Sequence, residues 1–446
     1  MFLKSFNFKQ LKLIFIICLS FILYGFFSYG LARHEHISIS LIVLGLFILY
    51  ILLLKMDLSI SLLIKIGLLF RVILLFSVPN LSQDFYRFFW DGQLLLNGIN
   101  PYQFTPNQLI SSKLIPILEM NEAYEMMGNL SQNNYSNYPP IHQLITFLSC
   151  FIEQGSVFIY IIFQRIILIL FDLGILYFGL KLSKEIGRPK RDLFLYFLNP
   201  LVIIELIGNL HFEGVMIFFM ALSFYYLSKK KEIYSGLFLG VSILTKLIPL
   251  IIMPLFLYRL GFKKSIFFVL ITIAVVVLGF TPFLNFEFLI NYSESIGLWF
   301  SNFEFNASFY YALKKVLKFM DLDLIDYMIY VLPCSIFGVT IYLLSQKKII
   351  LNDILTQCLL ILTIYTLIST TVHPWYIIPL LFISCLTNYR YPIYWSLTIF
   401  LSYWSYFQTE VVENYFLITV EYATIIGIMS YEYFIRNRNF TTSSTD

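Results

Sequence analysis

Long, nearly uninterrupted apolar runs recur along this chain, and they leave few solvents in which it can fold. Leu11–Leu31 and Ile39–Leu54 are two of them. As a helix, about 20 apolar residues span the hydrocarbon core of a bilayer. Of the 446 residues, 59% are hydrophobic and 13% charged, whereas a soluble domain carries about 25% charge. In water such a chain would expose apolar patches large enough to aggregate. The sequence therefore predicts an all-α polytopic membrane protein, with about twelve transmembrane helices plus re-entrant or interfacial ones. Residues 1–446 form a single integral membrane domain.

The first run follows Lys4, Lys9 and Lys12. It is too long for the apolar part of a signal peptide and lacks a small-x-small cleavage site, so it reads as a retained first span. The net charge of +4 is spread over loops, and no soluble basic domain exists to hold nucleic acid. Five cysteines, an odd number without C-x-x-C spacing, read as small buried hydrophobes.

Orientation follows from where Lys and Arg lie in short loops. Clusters at Lys4–Lys12, Lys181–Arg191, Lys229–Lys231, Arg259–Lys264, Lys347-Lys348, Arg390 and Arg436/Arg438 all fit the cytoplasmic side. Both termini are then cytoplasmic. Crossings are expected near 11–31, 38–54, 59–78, 157–180, 192–208, 212–228, 264–283, 327–345, 351–371, 374–388, 392–408 and 415–435. Segment 141–153 is too short to cross. Segment 233–258 leaves and returns to cytoplasmic clusters with Lys246 and Pro249 in its middle. Both read as re-entrant or shallow, the second as two half-helices, since broken backbone at membrane depth survives only beside a cavity or inside protein. Two long segments, 79–156 and 284–326, face outward. Their aromatic and polar content marks them as structured and functional.

The chemistry concentrates in Leu81-Ser-Gln-Asp84-Phe-Tyr-Arg87-Phe-Phe-Trp90-Asp91-Gly92. Asp84, Arg87 and Asp91 recur at i, i+3 and i+7, which puts them on one face of an amphipathic helix at the membrane surface. Two readings stay open on spacing alone. Either an Arg–Asp ion pair fixes the loop, or a general base stands beside an anion-binding cation. Gly98-Ile-Asn100-Pro101-Tyr102 and Tyr138-Pro139-Pro140, before His142, are loop-forming turns. Charges inside spans need a partner or a function. Arg165 and Asp172 share a helix face, Lys65 and Arg71 lie in the third span, and Lys246 sits mid-hairpin. Glu205 precedes Asn209-Leu-His211-Phe-Glu213, and His373-Pro374-Trp375-Tyr376 stands at the outer end of a span. Asp84, Asp91, His142, His211, Glu213 and His373 share a side but no metal-ligand spacing.

The run Ser82–Gly92 followed by Gly98–Tyr102 resembles the first external loop of the GT-C superfamily of membrane glycosyltransferases. It is most similar to bacterial polyprenyl-phosphate-mannose-dependent mannosyltransferases. Tyr138-Pro-Pro140, Asn199-Pro200 with Glu205, Asn209-Leu-His211, Thr245-Lys246, Phe305-Asn306-Ala-Ser308 and His373–Tyr376 extend the resemblance in order through most of the chain.

By that resemblance Asp84 is the catalytic acid of the first loop, acting as general base in an inverting transfer. Gln83 stands where the family often has a second acid, and Glu213 stands near a usual Asp. Substrate contacts are expected from Arg87, Asp91, Tyr138, His142, Arg165, His211, Glu213, Lys246 and His373. The implied donor is a polyprenyl-phosphate sugar, with mannose as the expected sugar and a lipid or glycan as acceptor. No cofactor is implied, and a divalent metal is admitted without being required. The implied setting is a multi-pass protein of a bacterial inner membrane, among membrane lipids. A lipid or solute transporter and a glycan polymerase are the competing classes. Residues 284–326 hold Lys314, Lys315 and Lys318 but none of the arginines expected of a polymerase.

Overall fold

The computed structural model describes residues 8–112, 118–153, 155–256, 261–301, 303–320, 328–345, 351–407 and 411–442. Lys4, Arg259 and Lys347-Lys348, used above for orientation, lie outside them. The described chain is helical apart from its connections and one parallel bridge between Phe305 and Thr371. It is an integral membrane protein. Among the described residues four helices are long and apolar enough to cross a bilayer: Phe8–Gly30, His36–Leu54, Val157–Glu185 and Lys263–Phe283. A fifth crossing exists if the pair Val202–Gly208 and Glu213–Ser228, bent by 110°, counts as one broken span. The last of the four has only 11% of its apolar window buried, so its side chains face lipid.

The other expected crossings are built from shorter pieces. The third expected span is a 13-residue helix, Ile60–Val72, followed by turns. The region 374–408 alternates short α-helical and 3-10 stretches from Pro374 to Tyr406. Hydropathy counts apolar length, and it does not register that Pro, Gly and buried polar groups interrupt the ladder inside that length.

The expected basic clusters meet at one end of the bundle. Arg191 donates to the carbonyls of Leu54 and Met56, Lys229 pairs with Glu185 at 2.6 Å, and Lys264 with Glu232 at 2.8 Å. Arg390 pairs with Asp192 at the same end. Glu232–Ile243 starts there, packs along Glu213–Ser228, and breaks before Ile248–Phe256. Lys246, in that break, pairs with Glu213. The hairpin therefore reaches from the basic end to the level of Glu213. Its two helical pieces are Glu232–Ile243 and Ile248–Phe256.

Candidate active site

The opposite end gathers the polar groups. The helix Asp84–Leu96 begins there, and the segment leading into it is held from two sides. Asn80 Nδ2 donates to Phe27 O at 2.7 Å and Leu31 O at 3.1 Å, at the end of the first helix. The Leu81 N–H donates to Asn209 Oδ1 at 3.1 Å, in the bend of the broken pair. Phe85 through Leu94 are all buried, so this helix is embedded in protein and does not lie on the membrane surface. Gly92 permits that. A Cβ there would come within 2.6 Å of Cys150 Sγ on the helix Pro140–Glu153.

Embedding separates the three charged residues expected on one face. Arg87 Nε binds Asp91 Oδ1 at 2.8 Å, and Arg87 also donates to the carbonyls of Ser131 and Asn134. Asp91 Oδ2 accepts from Ser136 at 2.5 Å and Gln143 at 3.0 Å. This is the loop-fixing ion pair of the two readings above, closed by segments 131–136 and 143. Asp84 stands apart from it. Its carboxylate is half-buried, and its own N–H is held by Ser82 Oγ at 3.2 Å. Burial raises its pKa above the usual carboxylate range, while the charges of Lys246 and Arg33 and the Ser82 hydroxyl oppose that rise. Neither cation is within ion-pairing distance of it among the described residues. The two cations thus act on the Asp84 carboxylate through space, without closing an ion pair to it.

Arg165 is not such a cation. Its Nε donates to Ile207 O at 2.7 Å, its Nη1 to Leu75 O and Ser77 O, and its Nη2 to Gly208 O at 2.9 Å. Fully buried, it satisfies the carbonyl ends of two interrupted segments, and those bonds occupy the donors that a substrate contact would use. Asp172, predicted to share its face, pairs instead with Arg71 at 2.5 Å and accepts from Tyr196. Lys65 is exposed, the snorkelling outcome. Lys246 keeps a partly exposed ammonium, paired with Glu213 and 5.4 Å from the ring centroid of Tyr376.

Arg33 was missed by the sequence reading. It follows the first span, lies 4.0 Å over the ring of Tyr406, and makes a long 3.4 Å bond to Leu81 O. Its signal was its place: an arginine in a short loop on the side otherwise poor in them.

Rings complete the site. His211, Trp375, His373 and Phe305 stack in a column with centroids 3.6, 4.4 and 4.8 Å apart. Burial, with Lys246 and Arg33 nearby, pushes the His373 pKa down to about 3, so its imidazole is neutral. His211 Nε2 lies 3.5 Å from Glu205 Oε2 without the geometry of a hydrogen bond. Glu205 itself accepts from Tyr403 at 2.6 Å and Asn209 at 3.2 Å, which fixes the bend. Tyr138 stacks on His142 at 4.4 Å, and Phe212 covers the imidazole at 3.7 Å. The structure thus brings together Asp84, Tyr138, His142, His211, Glu213, Lys246 and His373. Among the described residues no three His, Cys, Asp or Glu side chains are arranged to hold a metal ion.

The family described as alpha-(1->6)-mannopyranosyltransferase, N-terminal domain, matches residues 23–260. Alpha-(1->6)-mannopyranosyltransferase A of Corynebacterium glutamicum is 23% identical over 185 residues, 41% of this chain and 35% of the relative. The chain thus spans about a third of that relative's length. A crystal structure of ArnT from Cupriavidus metallidurans bound to undecaprenyl phosphate superposes with a TM-score of 0.47 and 12% identity, covering 73% of this chain and 58% of that one.

Proposed function

Because the chain belongs to the alpha-(1->6)-mannopyranosyltransferase family through residues 23–260, we propose that it is a membrane glycosyltransferase with Asp84 as its general base. The donor is a polyprenyl-phosphate sugar, with mannose the first candidate, and the acceptor is a hydroxyl of a lipid or glycan. The single observation that carries this is the Asp84 carboxylate, half-buried at a helix start and facing Lys246 and Arg33 without an ion pair to either.

Asp84 takes the proton of the acceptor hydroxyl as the acceptor oxygen bonds to the anomeric carbon. The bond from that carbon to the phosphate oxygen breaks, and polyprenyl phosphate leaves with the electron pair. Attack opposite the leaving group inverts the anomeric centre. Lys246, near the surface and only partly spent on Glu213, stabilises charge on the leaving oxygen. The lipid tail needs the bilayer and the reacting sugar the aqueous rim. With the basic clusters at the opposite end of the bundle, the site faces away from the cytoplasm, in a bacterial inner membrane, with both chain termini inside.

The test is Asp84→Asn, assayed in membranes with labelled polyprenyl-phosphate mannose. Transfer should fall by about 10²–10⁴-fold, the usual contribution of a positioned base. A folded variant with parental transfer would refute the assignment. Solute movement without donor would instead support a transporter.

A further inference from the structure

His142 is 1% exposed, and neither ring nitrogen has a hydrogen-bond partner. Tyr138 and Phe212 sandwich the imidazole, at interplanar angles of 17° and 28°, and Phe88 closes its edge at 4.6 Å. The ring is thus held in one plane. Leaving a buried polar group unpaired costs about 1–3 kcal/mol. Phenylalanine would fill the same aromatic slot without that cost, so packing does not account for an imidazole here.

The surroundings point to a ligand. The Ile141 N–H donates to Leu244 O at 2.9 Å, which docks the helix carrying His142 onto the turn carrying Lys246. The charge on Lys246 acts on His142, as it does on Asp84, His211, Glu213 and His373. Two further buried atoms, His211 Nε2 and Glu213 Oε2, also lack hydrogen bonds. They flank in sequence Phe212, whose ring covers His142. A neutral imidazole offers one donor and one acceptor, and a sugar hydroxyl is both.

We infer that His142 recognises a ring hydroxyl of a sugar substrate, with His211 Nε2 and Glu213 Oε2 answering neighbouring hydroxyls. This rests on the glycosyl-transfer reading and adds a specificity residue to it. The sugar could be that of the donor or a sugar of the acceptor, and the chemistry of recognition is the same.

The experiment uses the full-length protein in lipid nanodiscs, with polyprenyl-phosphate mannose and its monodeoxy forms as one panel. Mannoside acceptors and their monodeoxy forms make the second. A site built to bond a hydroxyl discriminates strongly against the analogue lacking it. The parent protein should prefer one hydroxylated sugar over its deoxy form. In His142→Phe the melting temperature should not fall, kcat/KM on the hydroxylated sugar should drop about 10-fold or more, and that preference should disappear. The panel in which it disappears identifies the sugar. His142→Asn, which keeps a donor and an acceptor, should recover part of the preference, and it decides by the same criterion if the Phe variant does not fold.

Parental rates in His142→Phe, or an equal loss on every sugar of both panels, would overturn the inference. Inactive Asp84→Asn beside an indifferent His142→Phe removes this inference alone. Fully active Asp84→Asn removes the transfer reading itself.

Discussion

Four arginines near this site look alike in sequence and differ in what their donors meet. Arg71 and Arg165 spend theirs on carbonyls and a carboxylate of the protein, and Arg87 does so at Nε and Nη1 while its Nη2 is buried without a partner. Arg33 lies over a tyrosine with a single long bond to a carbonyl. That difference predicts a pH effect. Asp84 must be ionised to accept a proton, and its pKa is raised by burial and held back by Lys246 and Arg33. Activity should therefore fall with falling pH at a higher pH than an exposed aspartate would give. Arg33→Ala should move that acid limb higher still, and Arg33→Lys should move it back. Rate measurements from pH 4 to 8 check this, and an unmoved limb in Arg33→Ala would count against it. Asp84 was legible because its motif is local. The fate of Arg165 was not, since the carbonyls that claim it belong to breaks at 75–77 and 207–208, over 40 residues away or more. An Arg in a span reads the same whether backbone or ligand will claim it.

At the level of elements, most of the site hangs from interruptions. The bend at Asn209–Phe212 includes Leu210 at φ 62° and follows a π-helical stretch, Val202–Gly208, a rare conformation that recurs at functional sites. Across the chain, Phe305 bridges to Thr371 and stacks on His373, while Asn306 holds φ 50° with its side chain on Glu421. The segment around Phe305 is thereby pinned to the one carrying Trp375. The break around Lys246 was foreseen, because a basic residue and a proline inside an apolar run argue against continuous helix. Its depth was not foreseen, because depth depends on the neighbour against which the hairpin packs. That packing is close: a Cβ on Gly236 would lie 2.6 Å from Phe268 O, and one on Gly240 2.7 Å from Val275 Cβ. Small residues four apart let helices touch in lipid, where dispersion and close approach replace the hydrophobic effect. Gly240→Leu should force Glu232–Ile243 away from Lys263–Phe283 and carry Lys246 with it. The expected cost is about 1–3 kcal/mol, the usual range for overpacking, with a lower melting temperature and reduced transfer. A variant as stable and active as the parent would show that this contact does not set the position of Lys246.

Over the whole molecule, the two ends of the bundle differ in kind. One carries the basic clusters, the other Asp84 and the stacked rings, and the reading of sidedness assigns the second to the exterior. Asn121 and Lys231 lie in exposed positions at these two ends. In a background with the five native cysteines replaced, a membrane-impermeant thiol reagent added to intact cells should label Asn121→Cys and spare Lys231→Cys. The reverse pattern would place the site in the cytoplasm. Membrane class was written in composition, because charge at 13% leaves water no role as the main solvent. The expected dozen crossings rested on apolar runs and the alternation of basic clusters, and among the described residues four helices are long and apolar enough to cross unbroken. The unspent residues of the site come from both halves of the chain, from Arg33 to Tyr376. At this scale the Arg165 guanidinium answers the carbonyls left open where two segments stop short. Those ends need no chain of solvent molecules, so the backbone itself holds no water path open at either break. Under the proposed transfer, a donor bound beside them is to that extent kept from hydrolysis.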